Sequence, residues 1–157
     1  MADPSSRKGV RYASPELLAF VDRTHAEHDA GLARAFDAPA REGMPQIQVS
    51  ASEGRLLTLL MRLAGARNVV EVGTLAGYSA IRLAQGLAEG GKLFSLELDP
   101  RHAEVARANL AAAQLADRVQ VIVGDAVQTL EQLVSHAPFD AMFIDADKGR
   151  YPEYARW

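Results

Sequence analysis

Residues 69–84, VVEVGTLAGYSAIRLA, join a short apolar run to a helix-like pattern through two glycines that stand four positions apart. Further along the chain, short apolar runs keep alternating with helical segments. The runs are NVVEV (68–72), KLFSLE (92–97), RVQVIVG (118–124) and DAMFID (140–145), and the helices begin near Tyr78, at Pro100 and near Ala126. Such alternation is typical of right-handed βαβ units, in which helices cover both faces of a parallel sheet. The sequence therefore predicts an α/β fold with a doubly wound parallel sheet.

The size and composition of the chain predict one domain. It has 157 residues, 48% of them apolar, which is enough for a single hydrophobic core. The polar opening MADPSSRKG predicts a flexible tail over residues 1–13, and residues 14–157 form the single predicted domain. The chain has no cysteine, which excludes thiol nucleophiles, disulfides and cysteine metal sites.

Charge and hydropathy narrow the range of partners. The chain has 17 basic and 20 acidic side chains, a formal net charge of -3, and its basic residues are spread out. This distribution argues against nucleic acid and favours a small molecule. No apolar run approaches the ~20 residues that a membrane helix needs, and no apolar segment follows the polar opening. We therefore predict a cytoplasmic protein with no membrane partner.

Two helices are predicted before the first strand. One begins after Ser14, and the other begins at Ser50, where Glu53 stands three residues on, the spacing of a capping box. The second helix ends at Gly65, and its apolar side chains fall on one face, as in an amphipathic helix: Leu56, Leu57, Leu60, Leu63 and Ala64. Between the two helices, residues 36–49 (FDAPAREGMPQIQV) contain two prolines and a glycine and are predicted to be a connecting loop.

An acidic residue stands at the end of each predicted strand. Glu71 closes the first strand, Glu97 the second and Asp145 the fourth, and Asp125 lies just past the third. Any one of them could be a solvated loop acid. Ligands of doubly wound sheets, however, bind beyond the carboxyl ends of the strands. Four acids in register therefore predict a ligand site at that edge.

The glycine-containing loop favours one kind of ligand. Gly73 and Gly77 would allow a sharp turn and a close approach of the ligand to the backbone. Dinucleotide sites usually have the spacing G-x-G-x-x-G, and Glu71 would repel a pyrophosphate. S-adenosylmethionine has no phosphate, and its ammonium and sulfonium groups favour nearby carboxylates. Glu97 is then placed to accept hydrogen bonds from the ribose diol, and Ser79 to bind the methionine carboxylate.

Four segments resemble a known family. EVGTLAGYSA (71–80), LELDP (96–100), VGDA (123–126) and above all FIDADKGRY (143–151) are similar to the metal-dependent O-methyltransferases that include the caffeoyl-CoA and catechol enzymes. The resemblance extends from about Pro45 to the last residue. It implies a Rossmann-like sheet of the class I methyltransferase type.

The resemblance also implies roles for particular residues. Asp145 would bind a divalent cation, usually magnesium, and Lys148 would be the base that deprotonates the acceptor hydroxyl. The cofactor contacts that it implies, together with those expected from the loop and the strand ends, are Val49, Glu71, Gly73, Thr74, Gly77, Ser79, Glu97, Ala126, Asp145 and Asp147.

The activity implied by the resemblance is methyl transfer to one hydroxyl of a catechol-like small molecule, by a homodimer. Family members continue beyond the point where this chain stops, with further strands and an Asp-Asn pair that completes the metal site. The chain would then be a fragment or a short form that binds the cofactor but is catalytically impaired. The alternatives from other classes are an NAD(P)-dependent oxidoreductase and a non-catalytic binding module.

Overall fold

The computed structural model describes residues 14–25 and 27–157, so the tail predicted for residues 1–13 lies outside the described part of the chain. The elements, in chain order, are α1 (Pro15–His25), α2 (Ala30–Arg41), α3 (Ala51–Ala64), β1 (Asn68–Val72), α4 (Tyr78–Gly86), β2 (Lys92–Glu97), α5 (Pro100–Ala112), β3 (Val119–Val123), α6 (Ala126–Gln132), β4 (Ala141–Ile144) and α7 (Tyr151–Tyr154). Short 3-10 turns cover Val134–His136 and Lys148–Arg150. Within these ranges, no helix has the length and apolarity needed to cross a membrane.

The described strands form a parallel sheet whose order in space is β3-β2-β1-β4. The chain runs from β1 outward to β2 and β3 and then returns to place β4 on the other side of β1. This reversal confirms the predicted doubly wound α/β fold. It puts the change of direction between β1 and β4, where a crevice opens beyond the carboxyl ends of the strands in such sheets.

Helices cover both faces of the sheet. On one face, Val69 of β1 and Leu93 of β2 are buried in a cluster with side chains of α4 and α5. On the other face, the next residues along the same strands, Val70 and Phe94, are buried with side chains of α6 and α7. Successive side chains of a strand point to opposite faces, so each strand contributes to both clusters.

Helix α3 begins and ends at the predicted residues. The hydroxyl of Ser50 accepts a hydrogen bond from the backbone N–H of Glu53 at 3.3 Å. The carboxylate of Glu53 accepts one in return from the N–H of Ser50 at 2.7 Å, which completes the capping box. Gly65 ends the helix in the left-handed conformation, with φ of 60°.

An amphipathic helix usually buries its apolar face, but α3 does not. The predicted face is largely exposed: Leu56 is 54%, Leu60 46% and Leu63 85% exposed. The side packed against α4 carries Gly54, Thr58 and Met61. A Cβ on Gly86 of α4 would lie 2.5 Å from the carbonyl oxygen of Thr58, so the missing side chain lets the two backbones approach. Contact between small residues therefore determines which face of α3 is buried.

The prediction of a loop throughout residues 36–49 is wrong, because residues 36–41 belong to α2. Asp29 caps this helix by accepting a hydrogen bond from the N–H of Leu32 at 2.8 Å. Pro39 stands inside the helix, near its end, and its side chain is buried with those of Leu32 and Ala35. Burial of this face outweighs the backbone hydrogen bond that proline cannot make. Residues 42–49 form the connection to α3.

Candidate functional site

A cavity of about 520 Å³ lies beyond the carboxyl ends of the strands, at the change of direction between β1 and β4. Nearly all of the predicted site residues line it: Val49, Gly73, Thr74, Ser79, Glu97, Ala126, Asp145, Asp147 and Lys148. Glu71 and Gly77 do not line it. The structure therefore brings together residues from the segments before α3, after β1, after β2, after β3 and after β4.

Gly73 allows the loop after β1 to touch the end of β4. Its φ is 98°, a conformation that favours glycine. A Cβ at this position would lie only 2.4 Å from the carbonyl oxygen of Asp145. The N–H of Gly73 also donates to the carbonyl of Leu96 at 2.9 Å, and the N–H of Asp145 donates to the carbonyl of Val72 at 2.9 Å. The ends of β1, β2 and β4 thus meet at this glycine.

The carboxylate of Glu97 holds the loop that follows Gly73. Its Oε2 accepts hydrogen bonds from the N–H groups of Thr74 at 3.1 Å and Leu75 at 2.7 Å. Its Oε1 accepts one from the N–H of Asp99 at 3.0 Å. Leu75 has a positive φ of 50°, which is unusual for a residue other than glycine, so these bonds stabilise a strained turn. Glu97 also lines the cavity and can accept a further donor from a ligand.

Glu71 lies beneath the loop and is fully buried. The hydroxyl of Ser95 donates to its Oε2 at 2.6 Å, and the hydroxyl of Thr74, which lines the cavity, lies 2.6 Å from that of Ser95. Its Oε1 has no hydrogen-bond partner among the described residues. Burial raises the pKa of Glu71 to about 7, against the opposing effect of the Ser79 and Ser95 hydroxyls. Glu71 therefore reaches the cavity indirectly, through the hydroxyl groups of Ser95 and Thr74 and beside that of Ser79.

Gly77 has a packing role at the start of α4. Its φ is 85°, and a Cβ would lie 3.2 Å from that of Ala106 on α5. Asn109 of α5 donates from its amide to the carbonyl of Ala76 at 2.9 Å, and Arg34 of α2 donates to the Asn109 carbonyl at 3.2 Å. The loop is thus fixed to α5 from behind, and through α5 to α2.

The segment after β4 carries the predicted base Lys148, the predicted metal ligand and cofactor contact Asp145, and the predicted cofactor contact Asp147. Asp145, Asp147 and Lys148 are exposed and line the cavity. Asp147 caps the following turn by accepting a hydrogen bond from the N–H of Gly149 at 3.0 Å. No group of three or more His, Cys, Asp or Glu side chains placed to hold a metal occurs in residues 14–25 and 27–157. Asp145 alone does not fit the octahedral oxygen shell that magnesium prefers.

Other residues lining the cavity were not predicted as site residues. They include His102, whose Nδ1 lies 3.7 Å from Glu97 Oε1, Arg150, and Tyr154 of α7. Arg150 and His102 stand within a few residues of the motifs FIDADK and LELDP, and that proximity was the available signal. Nothing in the sequence pattern marks Tyr154, because α7 is a single turn placed by packing.

The sequence profile of a family described as O-methyltransferase matches residues 23–157. The chain belongs to the O-methyltransferase family. It is 49% identical over 152 residues to the catechol O-methyltransferase of Niastella koreensis, a match that covers 96% of this chain and 66% of that protein. It is 47% identical over 143 residues to the catechol O-methyltransferase of Mycobacterium tuberculosis, covering 91% of this chain and 64% of the relative.

A solved structure also supports the family assignment. The crystal structure of the O-methyltransferase from Bacillus cereus in complex with SAH is similar with a TM-score of 0.85 at 41% identity, over 88% of this chain and 64% of that one. This O-methyltransferase chain thus spans slightly less than two thirds of the length of these curated relatives.

Proposed function

We propose that this chain is the cofactor-binding part of an S-adenosylmethionine-dependent O-methyltransferase that methylates one hydroxyl of a catechol-like small molecule. One observation carries the proposal: nearly all of the residues predicted from the glycine loop, the strand ends and the FIDADK motif line a single cavity at the switch point of the sheet. The names of the relatives from Niastella koreensis and Mycobacterium tuberculosis support the catechol-like acceptor.

The charges around the cavity suit S-adenosylmethionine. The carboxylates of Glu97, Asp125, Asp145 and Asp147 line the cavity, and the cofactor carries a sulfonium and an ammonium group. The SAH-bound relative from Bacillus cereus supports the same assignment. A dinucleotide would bring its pyrophosphate to this acidic surface, and membership of the O-methyltransferase family further disfavours an NAD(P)-dependent oxidoreductase.

The proposed reaction is an in-line displacement. The neutral amine of Lys148 takes the proton of the acceptor hydroxyl, and the resulting oxyanion attacks the methyl carbon of the cofactor. The bond between carbon and sulfur breaks, its electron pair stays on sulfur, and the neutral thioether S-adenosylhomocysteine remains. The chain contributes chiefly by holding the two reactants in line, because alignment is worth several orders of magnitude in rate.

Metal assistance, the homodimer and the cytoplasmic location are further parts of the proposal. Magnesium is included on the family resemblance alone.

For the dimer, α1 and α3 provide an apolar outer face. It is made up of Leu17, Leu18, Phe20, Leu56, Leu59, Leu60 and Leu63, each at least 40% exposed. The two helices are in contact, and the N–H of Ser52 donates to Asp22 across them at 3.0 Å, so the two parts of this face lie on adjacent helices. We propose a second copy of this chain as its occupant.

Isothermal titration with S-adenosylhomocysteine, with and without magnesium, tests the cofactor assignment. We expect the chain to bind, and Glu97→Ala to weaken binding by about tenfold or more, because it loses a charged acceptor and the bonds that shape the loop. Glu104→Ala, an exposed carboxylate on α5, is the matched control and should bind as the wild type does. A folded wild-type chain that does not bind would overturn the proposal.

A further inference from the structure

Arg150 makes a bidentate ion pair with Asp125. Its Nη1 donates to Oδ2 of Asp125 at 2.6 Å, and its Nη2 donates to Oδ1 at 3.2 Å. On its other side the same guanidinium bonds Glu153, at 3.2 and 3.4 Å. It also lies over the ring of Tyr154, 5.8 Å from the centroid. A planar guanidinium that donates two hydrogen bonds to one carboxylate fixes the relative orientation of the two side chains as well as their distance.

The pair joins loops that leave the two outer strands of the described sheet. Asp125 follows β3, and Arg150 follows β4, while β2 and β1 lie between these strands. With neighbouring strands about 4.8 Å apart, β3 and β4 are separated by roughly 14 Å. Both residues line the cavity. The ion pair therefore ties the loop after β3 directly to the loop after β4 in the wall of the cavity.

Each end of this bridge is attached to a part of the site. Asp125 caps α6 through a hydrogen bond from the N–H of Val127 at 3.0 Å, and the next residue is the predicted cofactor contact Ala126. Arg150 belongs to the same 3-10 turn as Lys148, the proposed base. Just beyond, the hydroxyl of Tyr151 donates to the carbonyl of Ile144 at 3.1 Å and ties the segment back to β4.

We propose that Arg150 is a positioning residue: its ion pair with Asp125 holds the loops after β3 and β4 together against the bound cofactor and fixes the turn that carries Lys148. The inference rests on the proposed function. The side chains of Arg150 and Asp125 are 32% and 31% exposed, and solvent-accessible ion pairs contribute little to stability. This role therefore predicts an effect on the lifetime of the bound ligand and little effect on the folding of the unliganded chain.

Titration and stopped-flow measurements with S-adenosylhomocysteine test the bridge. We expect Arg150→Met and Asp125→Asn each to weaken binding about fivefold or more, mainly through faster dissociation. The double variant should bind no more weakly than either single variant, because both remove the same interaction. Arg150→Lys keeps the positive charge but cannot make two parallel hydrogen bonds to Asp125, so its affinity for S-adenosylhomocysteine should lie between those of the wild type and Arg150→Met. The unfolding free energy without ligand should change little in all of them.

Glu153→Gln is the matched control, since it removes the other carboxylate beside Arg150 and leaves the bridge in place. It should bind S-adenosylhomocysteine within twofold of the wild type. If Arg150→Met binds as the wild type does, or if the effects of Arg150→Met and Asp125→Asn add, the inference is wrong while the proposed function stands. If the wild type itself fails to bind, the proposed function fails and this inference with it.

Discussion

Protonation of Glu71 affects the stability of this chain. It is a carboxyl group with no exposed surface and one unpartnered oxygen, and burial raises its pKa to about 7 from an ordinary 4.5. The folded chain therefore holds a proton here that the unfolded chain releases at lower pH. By linkage, this group's contribution to stability is full below about pH 4.5 and is lost as the pH rises to about 7.

We predict that the wild type loses stability relative to Glu71→Gln as the pH rises from 4.5 to 7, the pKa values of the free and the buried group. The loss should reach up to about 3 kcal/mol, because the glutamine has the same shape and no charge to bury. Urea unfolding of both proteins across this range measures the difference. Glu104→Gln, an exposed carboxylate, should follow the wild type, and parallel profiles for wild type and Glu71→Gln would contradict the prediction.

The alternation of side chains along a strand explains why the sequence predicted the position of Glu71 but not its burial. The NVVEV motif correctly placed it at the carboxyl end of the first strand. It is one residue inside that end, however, on the same face as Val69, opposite Ser95 of β2. Its side chain therefore points into a covered face of the sheet. Glu97 also ends a strand, but it lines the cavity, because the loop after β1 folds down onto it.

At the scale of elements, the contact between Gly73 and Asp145 couples the glycine loop to β4. We predict that Gly73→Ala destabilises the chain by about 3 kcal/mol, since the new Cβ would meet a backbone oxygen at 2.4 Å in a left-handed conformation. Gly43→Ala is the control. It has a similar positive φ but no atom within 4 Å of the added Cβ, so it should lose only about 1 kcal/mol. Denaturant unfolding followed by circular dichroism compares them, and equal losses would contradict this account.

The elements from β1 onward could be predicted from the sequence because local signals agreed with the fold. Alternating apolar runs, the proline after Asp99 and the glycine loop all point to the same βαβ pattern. The helices before β1 could not be predicted as well, because their packing depends on distant partners. Burial of its ring stabilises Pro39 inside α2. The absence of a side chain at Gly86 of α4 allows α3 to pack with the side that carries Gly54 and Thr58.

At the scale of the whole molecule, the apolar outer face of α1 and α3 predicts self-association. We expect the wild type to be a dimer by static light scattering and the double variant Leu60→Lys, Leu63→Lys to be a monomer, because charges would be buried in the contact. Val134→Lys, at a residue that is 60% exposed and lies outside this face, should remain a dimer. A monomeric wild type would overturn the second copy as occupant and leave the face to a different partner.

The order of the strands has a consequence for how the site can fail. The glycine loop follows β1, and Glu97 is the last residue of β2; both strands have neighbours on each side. Asp145 and Lys148 follow β4, which pairs with β1 alone in the described sheet. Opening of β4 by local fluctuation would therefore withdraw the proposed base and, because Gly73 packs on Asp145, would also disturb the glycine loop. Such an opened state would lose the base and weaken the hold on the cofactor in the same event, so occupancy and turnover are mechanically linked in this fold.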